Sequence, residues 1–116
     1  MNYSIATSDY FNVAAKRLAK KYPSFKQDIQ KFRDELLKNP LQGDELYPGI
    51  RKIRMAIKSK GKGKSGGARV ITYNFIAQEM EGQIVLLLIY DKEDASSVKV
   101  NVLKEIIKEE GYPFEP

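Results

Sequence analysis

The sequence predicts an α+β domain: a small, largely antiparallel sheet with a helical hairpin before it and one helix after it. Three observations carry that prediction. Apolar residues recur at helical spacing through residues 8–38, the period drops to two between Gly49 and Asp91, and a helical stripe returns near the C-terminus. "NYSIAT" reads as a short first strand. Ser8 then serves as the N-cap of a helix with Phe11, Ala15, Leu18 and Tyr22 along one face, ended by Pro23. Ser24 reads as the cap of a second helix, whose stripe is Phe25, Ile29, Phe32 and Leu36 and which stops at Asn39-Pro40. In "GIRKIRMAI" the apolar set Ile50, Ile53, Met55 and Ile57 is expected on a buried face, with the cations on the other. Two further strands follow, "ARVITYNFIA" and "QIVLLLIYD", with Glu81-Gly82 as their hairpin turn and "LLLIY" central in the sheet. Ser97 is expected to cap a last helix carrying Val98, Val102, Leu103 and Ile106, with Gly111 as its C-cap and Pro113 beyond. The element order is thus β-α-α-β-β-β-α in one domain over 1–116, with helices on one side of the sheet and the opposite face open.

Composition narrows the chemistry. Cysteine and histidine are both absent, which removes the usual zinc ligands, a thiol nucleophile and histidine-based nuclease schemes. No metal and no cofactor is expected, and any acid-base step must use Tyr, Lys, Asp or Glu. The sequence has no bilayer-length apolar run and no leader-like N-terminus, so the expectation is a cytoplasmic protein that does not enter a membrane.

The formal charge of +5 is strongly segregated. Residues 51–69 hold eight of the 20 basic residues, and no acid lies between Glu45 and Glu79, whereas the rest of the chain has 12 basic against 15 acidic residues and is net −3. One segment therefore generates the positive potential and points to a polyanionic partner, nucleic acid being the commonest. An anionic membrane fits less well, because these cations alternate with glycine and serine and do not line an amphipathic helix.

Within that segment two groups differ. Lys58, Lys60, Lys62 and Lys64 fall in the glycine-rich "KSKGKGK", where a solvated hairpin tip competes with RNA contact as their use. Lys52, Arg54 and Arg69 fall within strands, where charges on one face repel each other unless an anion lies between them. "GKGKSGG" is not a nucleotide-hydrolase phosphate loop, since a strand, and not a helix, is expected after it.

The stretch "GIRKIRMAIKSKGKGKSGGARVITY", followed by "LLLIYDKED", resembles the RelE/ParE superfamily of bacterial toxins and most of all its HigB-like branch, over residues 25–95. The resemblance implies a RelE-like fold and a ribosome-dependent endonuclease that cuts mRNA, a translation inhibitor. It also implies a cognate antitoxin, a HigA-like helix-turn-helix protein, encoded by an adjacent gene. The family's basic catalytic positions match Lys52, Arg54 and Arg69, and Lys92 stands where RelE-type members keep a further arginine. Their terminal tyrosine has no counterpart, its place being taken by Lys99.

Metal-free RNA cleavage requires a deprotonated 2′-hydroxyl, a stabilised phosphorane and a protonated 5′-oxygen. Arg54 and Arg69 are expected to meet the phosphorane charge. Repulsion among Lys52, Arg54, Arg69 and Lys92 favours an uncharged lysine, so Lys52 is a candidate base or acid. Tyr90 is a candidate to assist, while Arg51, the four loop lysines and Tyr73 are candidate RNA contacts. Packing at a core edge is the competing use for both tyrosines, and a surface location is expected for Asp91 and Glu93. Two other functions stay open: a non-enzymatic gyrase inhibitor, as in ParE members, and an RNA-binding module without catalysis.

Overall fold

The computed structural model describes residues 1–95 and 97–114. Its elements are β1 (Asn2–Thr7), α1 (Asp9–Lys21), α2 (Phe25–Lys38), β2 (Asp44–Tyr47), β3 (Ile50–Met55), a 3-10 turn (Lys58–Lys60), the one-turn helix α3 (Gly63–Gly66), β4 (Ala68–Gln78), β5 (Glu81–Asp91) and α4 (Val100–Glu109). The five strands form one sheet in the order β1-β5-β4-β3-β2, with every neighbour antiparallel except the parallel pair β1 and β5. The α+β class and the mostly antiparallel sheet agree with the sequence reading. No helix among the described residues is long and apolar enough to cross a membrane.

β2 is the strand that the sequence reading lacks. It has four residues, two of them acidic and exposed, and it sits at the sheet edge, so neither length nor alternation announces it. The sheet also carries helices on both faces, which corrects the expected single helical side. α1 and α2 cover one face through Phe11, Leu18, Phe25, Phe32 and Leu36, packed on Ile53, Met55, Val70, Ile84 and Leu86. On the other face α4 places Leu103, Ile106 and Ile107 over Ile50, Ile71, Tyr73, Val85 and Leu87. Ile50 and Ile53 therefore point to opposite faces, as residues an odd number apart on a strand must. The cationic pattern follows the same rule: Lys52 and Arg54 share the α4 face with Ile50, while Arg51 shares the hairpin face with Ile53. A bulge between β4 and β5 shifts the register after Ile71, and Leu87 joins the α4-side core beside Leu88.

Caps and turns decide the local detail. Ser8 caps α1 as expected, its Oγ accepting from Phe11 N at 3.0 Å while donating to Leu87 O at 2.6 Å. Ser24 makes no side-chain cap on α2; its hydroxyl donates to Asp28 Oδ2 at 2.6 Å and accepts from Ser59 N at 2.9 Å, joining α2 to the start of the basic loop. The β4–β5 turn lies at Glu79-Met80, with Met80 at φ 62°, and not at Glu81-Gly82. Gly82 lies inside β5, where a Cβ would come 2.4 Å from the Tyr3 ring, so close packing explains that glycine. α4 begins at Val100 with Lys99 in the cap position, later than the Ser97 start, and leaves Val98 outside the helix. Its end matches expectation: Gly111 at φ 77° and the bonds Gly111 N to Lys108 O and Tyr112 N to Ile107 O form a Schellman motif.

Candidate functional site

α4 covers the sheet face over Ile50, Ile71 and Tyr73, and the cations lie farther along the same strands. Cross-strand register sets Arg54 opposite Arg69 and Arg69 opposite Tyr90, and Lys52 lies two residues from Arg54 on the same face. Among the described residues no carboxylate forms an ion pair with Lys52, Arg54, Arg69 or Lys92, although the exposed Asp44 sits across from Lys52 in register. Arginines paired in register across two strands bring like charges together, and an anion between them reverses the sign of that interaction.

The two arginines are held differently. Arg54 is exposed and makes no side-chain hydrogen bond among the described residues, whereas Arg69 is only 8% exposed. The Arg69 guanidinium donates to the carbonyls of Lys64 (3.4 Å), Ala68 (3.2 Å) and Ser65 (3.1 Å), so the glycine-rich loop wraps it. A guanidinium has five N–H donors; with three bonds made to carbonyls, two remain for a ligand. This burial sets Arg69 apart from the solvent-facing Arg54. The Tyr90 hydroxyl is buried without a hydrogen-bond partner among the described residues, and burial pushes its ionisation up, partly offset by the Arg69 charge. It is therefore a neutral donor near pH 7. Lys92 lies in the exposed turn after β5, where its N–H donates to Gly67 O at 3.1 Å, next to the loop that holds Arg69.

The remaining candidates divide. Arg51, on the opposite face from Lys52, pairs with Glu45 at 3.5 Å and reaches Gly43 O at 3.3 Å. Tyr73 is packed, with its ring 5.7 Å from that of Phe75 and its hydroxyl donating to Pro113 O at 2.5 Å, so it joins the core edge and not the cation group. Lys62 and Lys64 are exposed and pair with Glu93 at 2.8 Å and Glu35 at 3.8 Å. Lys58 is exposed, and its backbone N–H is held by Asp28 at 3.1 Å. Lys60 departs most from the expected solvated tip: its side chain is 5% exposed and its ammonium lies 2.7 Å from Asp91 Oδ1.

Asp91 is the residue most misjudged from sequence, being 1% exposed where a surface charge was expected; Glu93 does lie at the surface. Burial alone would push the Asp91 carboxyl up, but hydrogen bonds from Lys60, Tyr22 and the Glu93 N–H, with the Lys60 charge, outweigh it and hold the group down to about 2. The available signal was its position, an acid closing a long apolar strand. A second feature absent from the sequence reading is a cleft of about 500 Å³ between α2 and the β3–α3 segment, lined by the cations Arg54, Lys58, Lys64 and Lys31, by the acids Asp28 and Glu35, and by apolar groups that include Phe32 and Ile57. Among the described residues no cluster of three or more acidic side chains is arranged to hold a metal ion. The arrangement offers an anion the exposed Arg54 and the unused N–H groups of Arg69, with the neutral Tyr90 hydroxyl buried beside them. No protein-family model matches this chain.

Proposed function

We propose that this chain is a toxin of a toxin-antitoxin pair that cleaves mRNA on the ribosome without a metal ion. The observation that carries the reading is the Arg54–Arg69 cross-strand pair, with Lys52 beside it and no ion-paired carboxylate among the described residues. A folded domain tolerates such repulsion most readily where a polyanion neutralises it. Arg69, with its guanidinium already oriented by three carbonyls, would meet the non-bridging oxygens without reorganising. Arg54 supplies a second, solvent-facing guanidinium. Lys52 is the candidate for moving the 2′-hydroxyl proton, and Tyr90 the candidate hydrogen-bond donor to a phosphate or leaving oxygen. Lys92 and the exposed Lys58, Lys62 and Lys64 would guide the strand by phosphate contacts. The partners of this reading are the ribosome, mRNA and a helix-turn-helix antitoxin from an adjacent gene, all met in the cytoplasm.

Binding RNA without cutting it is the second reading, and one observation favours it: Asp91, the acid next to Tyr90, is sequestered by Lys60 and Tyr22 and cannot serve as a base. A translating extract separates the two. Added protein should produce new mRNA 5′ ends at codons in the ribosomal A site, and Arg54→Ala should remove them. Intact mRNA with translation stalled would establish the binding module instead, and intact mRNA with arrested DNA supercoiling would favour a gyrase inhibitor.

A further inference from the structure

A buried ion pair is weak evidence for stability, because replacing it by well-packed apolar groups is often neutral or stabilising. The Lys60–Asp91 pair is buried on both sides, with side chains 5% and 0% exposed. It also ties together elements distant in sequence. Asp91 ends β5 and accepts from the Tyr22 hydroxyl at the C-cap of α1, while Lys60 comes from the basic loop and donates additionally to Gly67 O at 3.4 Å. Gly67 O is the carbonyl that also accepts the Lys92 N–H, so the loop's far end is pinned to the same strand end. Between these anchors lie Lys64 and Ser65, whose carbonyls hold the Arg69 guanidinium. A tract containing Gly61, Gly63, Gly66 and Gly67 has no backbone preference of its own for that shape.

We infer that Lys60 and Asp91 are positioning residues, a buried latch that fixes the glycine-rich loop so that its carbonyls hold the Arg69 guanidinium ready for an anion. The inference rests on the proposed phosphodiester site for its purpose, but the latch itself can be tested without that reading. Two of the basic tract's properties are then explained together: the glycines permit the turns, and one lysine of the four is withdrawn from solvent to lock them. Tyr22 orients the carboxylate from the other side, with the Lys60 ammonium also 5.6 Å from the Tyr22 ring centroid.

The test compares the full chain with Lys60→Met/Asp91→Leu, in which the pair is replaced by apolar groups, and with Tyr22→Phe, which removes a single hydroxyl and keeps the pair. The readouts are the Arg69 Nε–H resonance, amide hydrogen exchange across residues 61–67, and affinity for a non-cleavable single-stranded 2′-O-methyl RNA of about ten nucleotides. In the double variant the loop amides should exchange at least about tenfold faster and the Arg69 resonance should move to the position of a free arginine, with a smaller change in the same direction for Tyr22→Phe. RNA affinity should fall about tenfold, and adding Arg69→Ala to the double variant should cost nothing more. An Arg69 resonance and loop exchange unchanged in a folded double variant would overturn the latch, and so would losses that add fully with Arg69→Ala. If the double variant does not fold, Tyr22→Phe decides by the same resonance and exchange rates. RNA that fails to bind the unmodified chain would sink the nucleic-acid reading, and the Arg69 resonance would then decide the latch alone.

Discussion

The acid limb of stability should report directly on Asp91. Its carboxyl is held at about 2 against an ordinary value of 3.8. Each tenfold in proton affinity is about 1.4 kcal/mol, so the difference between folded and unfolded states stabilises the fold by about 2 kcal/mol at neutral pH. Because the folded value is the lower one, the contribution is complete above 3.8 and is lost as pH falls through about 2. About two-thirds of it should be gone by pH 2.5. The perturbation is Lys60→Met/Asp91→Asn, which removes the titrating group together with its partner and so leaves no unpaired buried ammonium. Urea unfolding followed by far-UV circular dichroism at pH 6 and pH 2.5 gives the stability of each chain, and the carboxylates other than Glu93, which also faces Lys60 at 3.7 Å, contribute equally to both. Relative to the variant, the unmodified protein should lose roughly 1–2 kcal/mol between those two pH values, a readable fraction of a total of about 5–15 kcal/mol. A gap that stays constant across that range would show that the Asp91 carboxylate is not held by Lys60 and Tyr22 as described.

Lys52→Ala and Arg54→Ala should each lower cleavage about a hundredfold or more in the translating extract while thermal unfolding moves by no more than about 0.5 kcal/mol. Arg69→Ala should lose activity as well but also destabilise by about 1–3 kcal/mol, because the Lys64 and Ser65 carbonyls of the loop and the Ala68 carbonyl of β4 lose their donor; equal stability of all three variants would contradict the described burial. Gly67→Ala should cost about 1–3 kcal/mol in denaturant unfolding, since its Cβ would fall 2.1 Å from Met55 O, and a variant as stable as the parent would show that the loop does not pass so close to β3. Changing Lys58, Lys62 and Lys64 together to Ala while keeping Lys60 should flatten the slope of log affinity against log salt for single-stranded RNA by about 2, and an unchanged slope would assign the three to plain solvation.

The amphipathic stripes were legible because a helix repeats every 3.6 residues whatever it packs against, and Phe25, Phe32 and Leu36 are buried as their spacing implied. The shared face of Lys52 and Arg54 was legible for a similar reason: strand alternation places residues two apart on one face before any partner is known, whereas Arg69 joins them only through the β3–β4 register. Alternation alone did not say which residues start a new face. Ile50 and Ile53 were read as one set, and only the two helical layers, one on each side of the sheet, gave both a core to enter. β2 escaped notice because a four-residue acidic edge strand owes its existence to pairing with β3 and not to a pattern of its own.

By itself the sequence determined where charge accumulates, which residue types are left for chemistry, and the helical and strand periods, since all of these are properties of neighbours along the chain. Only the tertiary structure decided which cations meet. It divided a tract of four similar lysines into three at the surface and one buried against Asp91, and it turned Arg69 from a strand cation into a guanidinium held by loop carbonyls. The physical reason is that a lysine's fate depends on whether a carboxylate waits within hydrogen-bond reach, and the one that does lies 31 residues away at the end of another strand.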